Sequence, residues 1–377
     1  MPDIAEYILL LYVFFTLVLI VVWLVMPDVS KSAGEQILEE QLYITVIIPV
    51  RNEERNIIRL LKGLAAQTLA HRYFEVMVVN DQSTDSTAAL VTEFQRQSSM
   101  NLVFLNLEDK KENTSPKKRA ISTAVGQAKG QFIVTTDGDC EVPESWLKTY
   151  LDAFMNTYAV FLSAPVTFFS AADGGVFSKL WNQLQIVEFA SLIGSGACSM
   201  AMKTPNMCSG ANLGYQKKAF YEVDGYKGNE NLASGDDEFL MHKMAKAYKD
   251  RVFYLKSPGC IVETESQPTL QHFYRQRKRW AGKWKHYKSL LPAFLAVFIF
   301  AANLSAVFLV ATGHFEVVLL RLLMEFVFLA LVLRFLKKDG SILFIPLTQL
   351  IYPFYVLFFG LIVQGGNTYT WKDRQLK

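Results

Sequence analysis

The sequence is poor in cysteine, histidine and net charge. Its four cysteines in 377 residues, Cys140, Cys198, Cys208 and Cys260, are too few for a secreted disulfide scaffold and lack the paired spacing of a structural zinc site. The five histidines show no ligand pattern. A net charge of +3 gives no reason to expect a nucleic-acid partner. No G-x-G-x-x-G turn follows the first strand-like run, and no G-x-x-x-x-G-K-[ST] loop occurs, so a dinucleotide fold and a Walker loop are both excluded. Disorder is excluded as well, because hydrophobic residues make up 51% of the chain.

The apolar excess is concentrated at the two ends. Residues 4–26 form an almost wholly apolar run of about 23 residues, enough for a helix to span about 30 Å of hydrocarbon. A cleaved signal peptide would need a basic start and a small-residue cleavage site. Here the start carries Asp3 and Glu6 and the run ends Trp-Leu-Val-Met-Pro, so a retained anchor is expected. Three further apolar stretches follow, at about 290–312, 315–336 and 342–363. The first two read as a pair turning at Gly313-His314. Arg321 and Glu325 stand at i,i+4 within the second, as a mutually neutralised pair. Pro346 and Pro353 in the third leave open whether it spans or re-enters. The basic run from Arg275 to Lys288 and the loop with Arg334, Lys337 and Lys338 belong on the cytoplasmic face. The expected domains are an anchor at 4–26, a cytoplasmic domain at 27–289, membrane segments at 290–364 and a basic tail at 365–377.

The middle of the chain alternates strand and helix patterns. Strands are expected at 44–50, 74–80, 102–105 and 132–136, and helices at 53–67, 83–97 and 117–128. This order implies right-handed crossovers and a mostly parallel, Rossmann-like α/β sheet. Ligands bind such sheets outside the carboxyl ends of the strands. Those ends carry Pro49-Val50-Arg51-Asn52-Glu53-Glu54, Asn80-Asp81-Gln82-Ser83-Thr84-Asp85 and Asp137-Gly138-Asp139. With no glycine cradle for a diphosphate, a divalent cation has to hold it. Two carboxylates around a glycine suit such a hard cation.

Further along, Asp236-Asp237-Glu238 opens a helical pattern. The bland reading is an N-cap; three acidic residues in a row exceed that need and also offer a general base. Gln276, Arg279 and Trp280, at i, i+3 and i+4, share one helix face, suited to diphosphate oxygens and to stacking on a sugar or lipid-linked group. Arg277, Lys278, Lys283, Lys285 and Lys288 suit anionic headgroups on another face. Lys117, Lys118 and Arg119 are all within reach of a phosphate, with Lys118 read as surface charge. Residues 177–200 look amphipathic and fit a core helix or an interfacial helix beside the acceptor path, of which the interfacial one is expected.

Taken in order, these motifs resemble the family 2 inverting glycosyltransferases with the GT-A fold, over residues 44 to about 288. The carriers are Ile47 to Glu54, Val79 to Asp85, Lys117 ahead of Ala120-Ile121, Asp137-Gly138-Asp139, Gly210-Ala211-Asn212, Gly235-Asp236-Asp237 and Gln276 to Trp280. The resemblance implies a nucleotide-sugar donor, with UDP favoured, and Mg²⁺ or Mn²⁺. It implies Asp139 as principal metal ligand with Asp137 beside it, and Asp81 as the reader of the base. Donor contacts are implied for Pro49, Arg51, Asn52, Glu53, Lys117, Gln276, Arg279 and Trp280, and acceptor contacts for Trp280 and Asn212. Asp237 is implied as catalytic base, with Asp236 as alternate and Arg279 stabilising the leaving group. Asp236-Asp237 stands where the family more often has Glu-Asp. The tail from Tyr369 to Arg374 resembles a Trp-basic-x-Arg signature of some lipid glycosyltransferases.

The expected protein is thus a glycosyltransferase of a bacterial-type inner or plasma membrane, acting on a lipid or lipid-linked acceptor. The alternatives are a processive polysaccharide synthase and a non-catalytic membrane scaffold. Sugar, acceptor and oligomeric state are not encoded in any motif.

Overall fold

The structure is a computed structural model that describes residues 2–31, 42–107, 114–171, 174–232, 234–282, 290–362, 369–371 and 374–376. In chain order, the first elements are α1 (Pro2–Val25), β1 (Ile44–Val50), α2 (Ile57–Ala65), β2 (Phe74–Asn80), α3 (Thr87–Gln97), β3 (Leu102–Asn106), α4 (Pro116–Gln127), β4 (Phe132–Thr135) and α5 (Trp146–Thr157). They are followed by β5 (Phe161–Ser163), β6 (Val166–Phe168), α6 (Val176–Ala201), β7 (Leu213–Gln216), α7 (Lys217–Glu222), α8 (Glu238–Tyr248), β8 (Val252–Tyr254) and β9 (Val262–Thr264). The last are α9 (Leu270–Gly282), α10 (Leu290–Ala311), α11 (Glu316–Phe335), α12 (Ile345–Ile362), β10 (Tyr369–Trp371) and β11 (Arg374–Leu376). The chain divides into two compact units. One comprises residues 1–26, 168–198 and 266–369; the other comprises 27–167, 199–265 and 370–377.

The second unit is built on a seven-stranded sheet in the order β3-β2-β1-β4-β7-β5-β8. The run from β3 to β4 is parallel. Its strands are continuous apolar runs because both faces are covered: every residue of β2 and all but Pro49 of β1 are buried. Helix α2 buries Ile57, Leu60, Leu61 and Leu64, the stripe that its 3.6-residue period requires. The expected α/β architecture is therefore present. The sequence pattern missed β5, β7 and β8. Strand β7 is antiparallel to both β4 and β5, and β5 runs parallel to β8. Strands of three or four residues are too short to show a period.

Pro49 sits in a central strand, a position hostile to proline. The ladder explains it. Ile47 O accepts from Thr136 N–H on the β4 side and Val50 O from Asp81 N–H on the β2 side, so Pro49 faces β4, which has already ended at Thr135. Its missing donor costs no ladder bond.

The first unit is helical. Among the described residues four helices are long and apolar enough to cross a membrane: Pro2–Val25, Val176–Ala201, Pro292–Ala311 and Asp339–Ile362. Helices α10 and α11 are joined by the expected turn at Gly313-His314, and α12 runs on through Pro353. The Arg321–Glu325 pair forms, Nε to Oε1 at 2.9 Å, and is the centre of a larger knot. Tyr12 of α1 donates to Glu325 Oε1 at 2.7 Å, Arg321 donates to Asn303 Oδ1 of α10 at 2.7 Å, and Gln349 of α12 donates to Glu325 Oε2 at 3.2 Å.

Helix α6 departs from the interfacial expectation. Its polar residues Asn182, Gln185 and Glu188 are buried, while Val176 and Phe177 are exposed. Asn182 donates to Phe169 O at 2.9 Å, and Gln185 donates to Gln267 O at 3.0 Å. The helix is not amphipathic: apolar Ile186, Val187 and Ala190 are buried together with these polar residues, which form an internal seam.

Candidate active site

The site grows from the carboxyl edge of the parallel strands in the α/β unit. The segments after β1 and β2 are locked together. Arg51 donates from Nη1 to the carbonyls of Asp81 and Gln82, at 2.7 and 2.8 Å. Asn52 takes a positive φ of 54°. Its N–H donates to Ser83 Oγ at 3.0 Å and its Oδ1 accepts from Thr84 N–H at 2.8 Å. The Glu53 N–H donates to Thr87 Oγ1 at 2.8 Å and the Glu54 N–H to Asp85 Oδ2 at 3.1 Å. The expected donor residues Arg51, Asn52 and Glu53 thus fix the shape of the cleft edge. Asp81 is only 4% exposed, and Arg119 of α4 donates to its Oδ1 at 2.9 Å.

Asp137-Gly138-Asp139 follows β4 as a turn closed by Cys140 N–H on Asp137 O at 3.2 Å. A Cβ on Gly138 would come within 2.9 Å of Glu53 Cγ and 3.0 Å of Val50 Cγ1, so only glycine lets the turn lie against the end of β1. Arg59 of α2 holds the carbonyl of Asp139 at 3.2 Å.

Lys117 is the hub of the acidic groups. Its ammonium lies 2.7 Å from Asp137 Oδ1 and 3.3 Å from Asp236 Oδ2. Burial alone would lower its pKa; the carboxylates of Asp137 and Asp236, with Asp237 behind them, outweigh burial and raise it. A Cβ on Gly210 would sit 3.1 Å from Asp236 Oδ2 and 3.2 Å from Lys117 Nζ, so this glycine leaves the ion pair its space. Gly210 N–H donates to Asp237 Oδ2 at 3.0 Å, and Glu238 N–H donates to Asp237 Oδ1 at 2.8 Å. Asp237 is therefore the N-cap of α8, and each of its oxygens is oriented by one backbone donor.

Several expectations need correction. Asn212 is fully buried. Its Oδ1 accepts from Trp146 and Tyr150, and its Nδ2 donates to the carbonyls of Pro165 and Cys260. An amide satisfied in this way braces the loop and has nothing left for an acceptor. Lys118 is not surface charge: it is 2% exposed and donates to Asn229 O at 2.7 Å. A helical signal was available, because successive residues advance by about 100° and three basic residues in a row cannot all face solvent. Arg277 is not a headgroup residue either; it is 3% exposed and paired with Glu188.

Gln276, Arg279 and Trp280 lie on α9 in the helical unit, each half-buried. Trp280 packs on Phe189, ring centroids 6.0 Å apart. Lys283, Lys285, Lys288, Lys372 and Asp373 lie outside the described residues.

Among the described residues no group of three or more His, Cys, Asp or Glu is placed to hold a metal. The donor set nonetheless suits Mg²⁺ or Mn²⁺. Asp137 and Asp139 supply hard oxygens, and such ions are commonly held by one or two carboxylates and completed by substrate phosphates.

Comparison with known proteins agrees with this architecture. A family model described as Glycosyl transferase family 2 matches residues 45–223, which take in Asp81, Asp137, Asp139 and Gly210 and stop short of Asp236. Glycosyltransferase AglE of Haloferax volcanii is 27% identical over 151 residues, covering 40% of this chain and 48% of that protein; the chain thus matches about half the length of that relative. A Methanococcus voltae protein, named dolichyl N-acetyl-alpha-D-glucosaminyl phosphate 3-beta-D-2,3-diacetamido-2,3-dideoxy-beta-D-glucuronosyltransferase, is 23% identical over 351 residues, covering 87% of this chain and 99% of that one. Among solved structures, the mannosyltransferase PcManGT from Pyrobaculum calidifontis, in complex with GDP-Man and Mn²⁺, superposes with a TM-score of 0.55 at 17% identity, covering 93% of this chain and 96% of that one. At that identity the likeness is one of fold. Residues 45–223 thus match the model of glycosyltransferase family 2, the fold is GT-A-like, and among the described residues four helices are long and apolar enough to cross a membrane.

Proposed function

We propose that this chain transfers a sugar from a nucleotide-sugar, a UDP-sugar foremost, to a lipid or lipid-linked acceptor at a membrane, by a direct displacement that inverts the anomeric carbon. The observation that carries the reading is the convergence of Asp137, Lys117, Asp236 and Asp237 at the carboxyl edge of the sheet. The Methanococcus voltae relative, named for transfer onto a dolichyl-linked sugar phosphate, supports the class of acceptor, as do the apolar helices.

In this reading Asp237, oriented by its two backbone donors, takes the proton of the acceptor hydroxyl as its oxygen forms the new bond to the anomeric carbon. The bond from that carbon to the phosphate oxygen breaks on the opposite side, and the nucleoside diphosphate leaves with the electron pair. Lys117 then exchanges a carboxylate for a diphosphate oxygen, and Arg279 supplies a second cation. Asp139 and Asp137 would hold Mg²⁺ or Mn²⁺, which supplies charge neutralisation to the diphosphate when bound. Asp81, held by Arg119, faces the base, and the catalytic unit lies on the cytoplasmic side.

The test is calorimetry on the detergent-purified chain with UDP, GDP and CDP, with and without Mn²⁺. The expected result is metal-dependent binding of one nucleotide, weakened by about 100-fold in Asp139→Ala. Binding of no nucleotide under either condition would overturn the proposal.

A further inference from the structure

The signature helix α9 carries, between Gln276 and Arg279, a side chain that the signature does not count. Arg277 donates from Nε to Glu188 Oε1 at 2.9 Å and from Nη2 to Glu188 Oε2, a two-pronged pair with a residue 89 positions upstream on α6. The hydroxyl of Tyr355 on α12 donates to the same Glu188 Oε1 at 3.0 Å. The remaining nitrogen, Nη1, donates to Gln276 Oε1. The guanidinium also lies on two rings, 4.4 Å from the centroid of Phe273 and 4.2 Å from that of Trp280. All three nitrogens are engaged, and two of the three signature side chains are held by this one group.

Burying an ion pair is a poor way to gain stability, since apolar residues of the same volume often do as well. What a planar fork adds is geometry: it fixes the direction of everything it touches. Lysine in the same place would keep the charge and lose the plane.

We propose that Arg277, anchored by Glu188 and Tyr355, is the positioning residue of the signature helix, setting the orientation in which Gln276 and Trp280 meet donor and acceptor. The proposal rests on the transferase reading for what those two side chains meet, and on the geometry alone for what holds them. The functional signature then has members on α6 and α12 as well as on α9.

The test uses the full chain in detergent as Arg277→Lys, Glu188→Gln and Tyr355→Phe. Three quantities are read. The first is calorimetric affinity for UDP and GDP with Mn²⁺. The second is the emission of Trp280 itself, taken as the difference between each protein and its Trp280→Phe counterpart. The third is transfer of label from UDP-glucose, UDP-N-acetylglucosamine and GDP-mannose into a chloroform–methanol-extractable lipid. In Arg277→Lys and Glu188→Gln, nucleotide affinity weakens by about tenfold or less, the worth of one hydrogen bond, the Trp280 emission shifts to the red, and lipid transfer falls by about 100-fold, the scale of a misplacement near 1 Å. Tyr355→Phe, which removes one of the bonds to Glu188, shows the same changes at a smaller size. An unchanged Trp280 spectrum in Arg277→Lys, or full transfer in Glu188→Gln, would overturn the proposal. If the unaltered chain binds no nucleotide, the transferase reading fails, and the Trp280 spectra still decide whether Arg277 positions that ring.

Discussion

The two units treat charge in opposite ways. In the α/β unit Lys117, Asp137 and Asp236 meet at the end of the sheet, and the Asp137 side chain keeps 36% of its surface exposed. In the helical unit Arg321 and Glu325 retain 3% and 12%, and Arg277 and Glu188 retain 3% and 8%. A cluster with one carboxylate open to water can change partners when an ion or a phosphate arrives, because water shares the cost of separation. A buried pair cannot, because either partner left alone has no solvent to turn to. The contrast assigns binding to the first set and the holding of helices to the second.

The comparison breaks most visibly at Asp237. If it is the base, Asp237→Asn keeps the N-cap, because the amide oxygen still accepts from a backbone donor, yet it cannot take a proton. Turnover should fall by about 10³-fold with nucleotide affinity intact. Asp236→Asn, measured beside it, decides between the two carboxylates: the larger loss of turnover marks the base. Equal activity of both variants and the parent would remove catalysis from this loop.

The helical unit should respond in stability instead. Arg321→Met leaves Glu325, among the described residues, with Tyr12 and Gln349 as its partners, and a loss of about 3–5 kcal/mol is expected. The double variant Arg321→Met with Glu325→Leu should recover most of it. Thermal unfolding in detergent tests both. A single and a double variant of equal stability would mean that the knot is not the closed electrostatic unit described above.

How much of this was legible beforehand follows the same division. The runs 44–50 and 74–80 announce buried parallel strands because both faces are apolar, and the acidic turn after β4 is visible because polar residues interrupt such a run. The Arg321–Glu325 pair is legible because i,i+4 is a local spacing. Glu188 with Arg277 is not, since 89 residues separate them and nothing local links the two. Asn212 and Lys118 mislead for a related reason. Asn212 inside a motif looks like a ligand contact, and Lys118 in a basic run looks like surface charge, until their hydrogen-bond partners are known.

Lys117 sharpens the contrast from the other side. Its removal should be tolerated, because Asp137 remains partly in water, yet the two carboxylates lose their resident cation. Lys117→Met should therefore bind Mn²⁺ alone about tenfold more tightly than the parent does, by the loss of one nearby positive charge. Titration of the nucleotide-free protein with Mn²⁺ measures this. An unchanged affinity would mean that Asp137 and Asp236 do not face the ion.

The smallest effect is expected at His242, on α8 close behind Asp237. Burial pushes its imidazole below the usual value of 6.5, and the charge of Asp237 offsets only part of that. The unfolded chain therefore binds more protons than the folded one as pH falls through 6.5, so stability rises with pH across that window. The contribution of neutral His242 is fully present above pH 6.5 and is lost as pH drops toward the lower folded value. Thermal midpoints at pH 7.5 and 5.5 should thus differ more in the parent than in His242→Gln, which cannot protonate. An identical drop in both would assign the acid sensitivity to other groups and leave His242 as a packing residue of α8. Because Asp237 is among the groups that His242 feels, the same variant reads whether the base loop shares this sensitivity: a pH profile of turnover that shifts with His242→Gln, while nucleotide affinity does not, would tie the imidazole to Asp237 rather than to the fold at large.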